Sequence, residues 1–189
     1  MNFCSHCGSG RVERRVPDGD NLPRDVCAQC GTIHYENPKI VVGCLPEWQG
    51  KVLLCKRAIE PRYGLWTLPA GFLENGESVT DGAIRETEEE ANARVEVQDL
   101  YTMISLPQIH QVYMMFRARL TDLDFGPGTE SLEVALFDEA DIPWENLAFR
   151  TIARTLRNYF LDRKLGAFPT RISTLVRRPP IPPDLRGAG

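Results

Sequence analysis

Between Gly71 and Ala93 the chain reads GFLENGESVTDGAIRETEEEANA. Glu86, Glu88, Glu89 and Glu90 crowd its end, and no Lys lies in the stretch. Like charges three or four apart on a helix repel each other. Ser78 suits an N-cap and Asp81 suits the first turn, so Ser78 to about Ala93 is expected to be helical. At about 100° per residue, Val79, Ala83, Ile84, Thr87 and Ala91 share the arc that should face a core. Glu90 falls inside that arc, Glu86 at its edge, Glu89 further round and Glu88 on the opposite side. A solvated acidic face explains Glu88. It explains Glu86 and Glu90 poorly, because an inward charge must find a partner. A hard cation such as Mg²⁺ would serve, since it takes carboxylate oxygens and keeps water and phosphate as its other ligands. Spacing alone leaves a metal site and a solvated face equally open.

A second chemical pattern lies at the N-terminus. Cys4 and Cys7, then Cys27 and Cys30, form two Cys-x-x-Cys pairs. Two such knuckles supply the four thiolates of a tetrahedral Zn²⁺ site. Gly8 and Gly31 follow each pair, where a tight turn needs a permissive backbone. Two disulfides fit a reducing compartment poorly. A redox dithiol would need a strand-then-helix context, which neither pair has. The site is closed, so its expected role is structural, with His6 as a bystander. Cys44 and Cys55 sit in apolar runs and read as small buried hydrophobes.

The elements that must position these groups follow from pattern. The chain has 189 residues, 42% hydrophobic and 25% charged, with a net charge of −4. That suits one catalytic-sized domain with a small appendage. The net acidity argues against nucleic-acid binding through a broad basic surface. No run is long and apolar enough for a membrane span, and nothing marks export, so a cytoplasmic location is expected. Residues 1–35 hold the Cys pairs and too few apolar residues for a core of their own. IVVGCL and KVLLCKR, separated by EWQG, read as a hairpin. LWTLPAG reads as a short strand leading to the acidic helix. Residues 93–106 and 108–120 read as two strands with Pro107 between them, and Leu132–Phe137 as another. Ile152, Leu156, Tyr159 and Phe160 form one face of a last helix. Residues 166–189 hold RRPPIPPD and read as a Pro-rich, irregular or disordered tail.

Gly71, five residues, Glu77, seven residues, then Arg85-Glu86-Thr87-Glu88-Glu89-Glu90 resembles the Nudix box of the Nudix hydrolases, Gly-x5-Glu-x7-Arg-Glu-U-x-Glu-Glu-x-Gly-U with U apolar. Every charged position matches. Thr87 stands where an apolar residue is usual, which should weaken packing. Asn92 stands where Gly is usual, a mild change because Asn tolerates a left-handed backbone at a helix end. LWTLPAGF before the box resembles the family's usual lead-in. The resemblance implies an α+β fold: a Nudix α/β/α sandwich around a mixed sheet over residues 36–165, preceded by a zinc ribbon over 1–35. It implies cleavage of a nucleoside diphosphate linked to another group, with Mg²⁺ or Mn²⁺ activating a water.

Carried over by position, Glu86, Glu89 and Glu90 should hold or orient the catalytic metal, with the Ala70 carbonyl as a further ligand. Arg85 should hold a box carboxylate, Glu89 or Glu77. The general base is expected from GPGTESLEVALF, as Glu133 or, second, Glu130. Arg57 and Arg62 are candidates for phosphate contact and Tyr63, Trp66, Tyr113 and Phe116 for a base platform. The two Arg are equally explained as solvated surface charges, and the aromatics are better explained as core. The whole chain resembles the FAD and ADP-ribose pyrophosphatase branch. The SQPWPFPxS motif of the NADH pyrophosphatases is absent from Met103–Phe116, which leaves that activity as the alternative. A reading of another class is a zinc-ribbon nucleic-acid or ligand-binding regulator with a non-catalytic Nudix domain. Zinc-ribbon relatives suggest a homodimer.

Overall fold

The computed structural model describes residues 1–176. The chain divides into two compact units, Met1–Pro38 and Lys39 onward. The first unit is a small antiparallel sheet of β1 (Val12–Arg15), β2 (Arg24–Cys27) and β3 (Ile33–His34). Val26, Cys4, Cys27 and Pro17 are its buried residues. That is too little apolar surface to hold so short a chain without a staple.

The second unit begins with β4 (Lys39–Trp48) and β5 (Lys51–Arg57). Gln49 and Gly50 join them with φ of 51° and 84°, the left-handed pair that a two-residue hairpin turn requires. Two short strands follow, β6 (Trp66–Thr67) and β7 (Ala70–Phe72), in place of the single expected one. β6 pairs with β5 and β7 with β4, so the chain crosses between two sheet partners at Leu68–Pro69. Gly43 permits that crossing, because a Cβ there would sit 2.3 Å from the Pro69 carbonyl oxygen. Helix α1 (Val79–Ala91) leads to β8 (Val95–Leu106) and β9 (Gln111–Leu120), with a 3-10 turn at Pro107–Ile109. After β10 (Ser131–Phe137) come α2 (Arg150–Leu165) and β11 (Arg171–Thr174).

The main sheet is mixed, in the order β10-β5-β4-β9-β8-β11. β4 runs parallel to β9, and β11 runs parallel to β8. The largest core cluster joins strand residues Leu45, Leu54, Tyr101 and Met115 to Ile152 and Leu156 of α2. Ala83 of α1 packs on Val42, Cys44 and Phe116 in a second cluster. Thr87 is fully buried, and its hydroxyl donates to the Ala83 carbonyl at 2.8 Å. The polar residue at this apolar position is therefore satisfied by its own helix.

β11 departs from the irregular tail expected over 166–189; residues 177–189 lie outside the described ones. Its anchor is a buried carboxylate. Asp162 is 1% exposed, accepts from Tyr101 Oη at 2.6 Å and from Arg171 Nε at 2.7 Å. Arg171 first, then Tyr101, hold its carboxyl below the usual carboxylate range against the opposing effect of burial. A depressed carboxylate contributes stability above its unfolded pKa, about 3.9, and loses it as pH falls through the folded value. Asp162→Ala should cost about 2–3 kcal/mol at pH 7, less than a fully enclosed ion pair because Arg171 is partly exposed. Urea melts at pH 7 and at successively lower pH check this: parent and variant should differ at pH 7, and the difference should shrink as pH falls below about 3.9. Equal midpoints at pH 7 would remove the anchor role.

Candidate active site

The acidic helix takes the phase expected from the sequence. Ser78 accepts from the Asp81 N–H at 3.1 Å as N-cap, and Asn92 closes the helix in the left-handed region at φ 47°. Glu88 is exposed, Glu86 is intermediate and Glu90 is 7% exposed. Three glycine features make room for this. A Cβ on Gly71 would fall 2.3 Å from the Glu86 carboxylate, and one on Gly82 would fall 2.7 Å from Glu77 Oε1. A Cβ on Gly128 would overlap the Glu89 carbonyl oxygen at 1.7 Å. Gly82 and Gly128 lie at box-variable and loop positions, so pattern alone did not single them out.

Arg85 is the main counter-charge. It grips Glu77 with two bonds of 3.0 and 2.8 Å, and donates to Glu86 at 2.8 Å, Glu89 at 3.0 Å and the Phe72 carbonyl at 3.2 Å. The expectation that Glu86 lacks a basic partner is corrected by this contact. The grip holds Glu77 at about 2. Glu90 is different. Its carboxylate accepts from the Ala70 N–H at 3.2 Å and pairs with no cation among the described residues. Burial, the dominant cause, together with the charges of Glu86 and Glu130, pushes Glu90 up to about 8; the Ala70 bond and Arg57 oppose this only in part. Burial likewise raises Glu86.

These groups line a cleft of about 980 Å³. Glu86, Glu89, Glu90, Arg85 and Ala70 form its acidic side, and Arg57, Arg62 and Glu130 also line it. Arg57 is 9% exposed, donates to the Pro61 carbonyl at 3.0 Å and lies over the Phe149 ring at 5.2 Å. Glu133 lies elsewhere. It is on β10 and pairs with Lys56 at 3.4 Å, whereas Glu130 precedes the strand in a turn closed by the Ser131 N–H on the Gly128 carbonyl. The turn, not the strand, brings a carboxylate to the cleft, so Glu130 replaces Glu133 as the nearby acid. Tyr63 is 58% exposed and is not part of the cleft wall. Trp66 packs edge-on against Phe137, and Phe116 belongs to the core. Tyr113 does line the cleft, as do the half-exposed Phe72 and Ile109, which the sequence reading passed over.

In the N-terminal unit the four expected cysteines converge. Their sulfurs all lie within 4.8 Å of one another. Cys4 and Cys30 Sγ are 3.7 Å apart and Cys7 and Cys27 Sγ 3.6 Å, so the close contacts cross between the two knuckles. All four thiols are free. Each Cys-x-x-Cys turns through a left-handed glycine, Gly8 at φ 72° and Gly31 at φ 74°.

Comparison with known proteins agrees with this arrangement. Residues 2–36 match the Nudix N-terminal zinc-ribbon family and residues 37–158 the NUDIX domain family. A NUDIX hydrolase from Nitrosomonas europaea, known from a crystal structure, is 58% identical; the match covers 94% of this chain and all of that one, with a TM-score of 0.91. An NAD-capped RNA hydrolase NudC from Pseudomonas aeruginosa is 30% identical over 169 residues, 87% of this chain and 57% of its own length. An ADP-ribose pyrophosphatase from Methanocaldococcus jannaschii is 31% identical over 119 residues, 61% of this chain and 69% of its own. The chain thus spans little more than half the length of the NudC relative. With a NUDIX domain matched over most of the chain, behind a ribbon that carries its four cysteines, the protein belongs to the Nudix family.

Proposed function

We propose that the protein is a Nudix hydrolase that cleaves the pyrophosphate of a nucleoside diphosphate derivative, with FAD or ADP-ribose preferred. The observation that carries this reading is Glu90: a carboxylate buried in a large cleft, beside Glu86, with no cation paired to it among the described residues. Such a group binds either a proton or a metal. The donor set of hard carboxylate oxygens fits Mg²⁺ or Mn²⁺. Glu86, Glu89 and Glu90 would hold the ion, with the Ala70 carbonyl as a further donor. When bound, it would screen the diphosphate charge and acidify water.

The chain's own residues have distinct tasks in this reading. Arg85 keeps Glu86 and Glu89 in place through its fork of bonds. Arg57 and Arg62 meet phosphate oxygens from the cleft wall. Glu130 takes the proton of the attacking water, in the role first assigned to Glu133. The curated relatives favour a second reading, in which a reduced or oxidised nicotinamide dinucleotide is the substrate, because several carry the name NAD-capped RNA hydrolase.

The cysteine cluster is read as a structural zinc site. Sulfurs about 2.3 Å from a common ion in a tetrahedron are about 3.8 Å from each other, close to the spacings of 3.7 and 3.6 Å here. Elemental analysis should find about one zinc per chain. Cys27→Ser should release it and expose residues 1–35 to proteolysis. Full zinc content in that variant would overturn the site.

The carboxylates give a paired test. Glu90→Gln should keep the fold and lower kcat about 100-fold or more. Glu88→Gln should leave activity within about twofold, since its side chain is solvated. Equal losses in the two would contradict the helix phase. Because the Glu90 carboxyl is pushed up to about 8, addition of Mg²⁺ at neutral pH should also release a proton, visible as a buffer-dependent heat.

A product-resolved assay of FAD, ADP-ribose, NADH and NAD⁺ with Mg²⁺ or Mn²⁺ tests the substrate. AMP should appear with FMN or with ribose 5-phosphate, EDTA should stop the reaction, and readded Mg²⁺ should restore it. A much higher kcat/KM for NADH would move the protein to the second reading. No cleavage of any compound would reject the hydrolase reading for these substrates.

A further inference from the structure

One wall of the cleft is made by chain that lies beyond the matched NUDIX region, which ends at residue 158. β11 adds to the edge of β8 from Arg171↔Thr102 to Thr174↔Ser105. The next residue, Leu175, donates its N–H to the Ser105 carbonyl at 3.0 Å and lines the cleft with Leu106. It is 6% exposed and belongs to the main core cluster, so it is a fixed wall. The Arg150 guanidinium reaches the Val176 carbonyl at 3.5 Å, which ties this wall to the start of α2.

The first turn of α2 lines the same cleft through Phe149, Arg150 and Thr151. Phe149 is the N-cap, and no side chain caps the helix. The N–H groups of the first turn therefore lack intrahelical acceptors. Thr151 adds a second, independent signal. The residue is 2% exposed, and its hydroxyl is buried without a hydrogen-bond partner. Leaving a buried hydroxyl unpaired costs free energy, so an apolar isostere would be favoured unless the hydroxyl serves something other than the described residues. The other two unpaired buried side-chain atoms among the described residues, on His34 and Ser131, lie outside the cleft wall.

We propose that the corner formed by the first turn of α2 and the β11–Leu175 segment is a subsite for a planar heteroaromatic ring of the ligand. Leu106, Leu175 and Phe149 supply apolar walls, and the Thr151 hydroxyl and the free N–H groups supply donors to acceptor atoms on the ring edge. An apolar slot with a few convergent donors selects such a ring over a bare phosphate. The inference rests on the hydrolase reading only in placing the ring beside a diphosphate.

Isothermal titration with Mg²⁺ present compares three probes: ADP, FMN and inorganic pyrophosphate, which has no ring. Thr151→Val keeps the side-chain shape and should fold with an unchanged or higher melting midpoint. It should weaken ADP or FMN about tenfold and leave pyrophosphate within about twofold. Thr151→Ser should restore the lost affinity, and Leu175→Ala should weaken the same ring-bearing probe. Selective loss of ADP assigns the slot to adenine, and selective loss of FMN assigns it to flavin; either supports the subsite. Equal affinities in parent and Thr151→Val, parallel losses for all three probes, or no binding of either ring compound to the parent would overturn it. Selective loss in a protein that cleaves nothing would reject the hydrolase reading while keeping the subsite. Cleavage with ring affinity indifferent to Thr151 would do the reverse.

Discussion

Arg85 holds Glu77, Glu86 and Glu89 with one guanidinium, and Glu90 lies beyond its grip. That unequal compensation organises the site. The fork ties the loop before α1 to the helix and stops the exposed carboxylates from splaying apart. The helix can then afford one buried acid whose only hydrogen bond among the described residues comes from a backbone amide. A carboxyl raised to about 8 binds a proton in the folded state that it has lost in the unfolded chain at neutral pH. Its folded pKa is above the unfolded value, about 4.3, so stability falls as pH rises between the two. The cost is a few kcal/mol at pH 7, of the size that a bound cation can recover. Local instability of this kind marks a binding site more often than a structural pair.

The same helix recruits the loop that carries the fourth acid. Its last carbonyls would be orphans. Gly126 and Gly128 donate their N–H groups to the Ala91 and Glu90 carbonyls at 2.9 and 3.1 Å. The Asn92 amide then donates to the Gly126 and Pro127 carbonyls at 3.2 and 3.0 Å. Asn at this position therefore does more than tolerate a left-handed backbone: its side chain fastens the loop, as Gly could not. Two residues past Gly128, Glu130 enters the cleft. Helix termination and placement of an acid are one event here, which explains why Gly128 has no space for a side chain.

The box was legible because its chemistry is dense and local. Charge spacing, an N-cap and a helical period identified the inward faces of Glu86 and Glu90. The cysteine knuckles were legible for the same reason. Glu130 and Glu133 were not separable, because the choice depends on a turn whose acceptors are the end of α1, some forty residues away in sequence. Tyr63 read as a platform, yet it projects from a loop where Arg62 has a φ of 74°. β11 was hidden more deeply. Four residues with three polar side chains carry little strand signal. The pairing comes from the edge of β8 and from Asp162 and Tyr101, neither of which looks toward the tail in sequence. Thr151 carries no signal in the sequence. Its unpaired hydroxyl becomes visible once the packing around it is known.

The relatives divide along the same line. Proteins named for NAD-capped RNA and for ADP-ribose match this chain at nearly equal identity, 30% and 31%. A shared box cannot distinguish those names, because on the proposed reading Glu86, Glu89, Glu90 and Arg85 would meet only the diphosphate common to all such compounds. Discrimination has to come from groups that meet the rest of the ligand. The apolar wall at Leu175 and Leu106, the half-exposed Phe72 and Ile109, and the donors of α2 are the groups on this chain with that opportunity. Most of them sit outside the charged pattern, and β11 sits outside the matched region altogether. On that reading, chemistry and selection would be carried by different parts of the fold. The helix that holds the acids is constrained by charge. The edge strand and the uncapped helix are constrained only by packing, and there a small change in volume or one hydroxyl shifts selectivity by a factor of ten for each 1.4 kcal/mol.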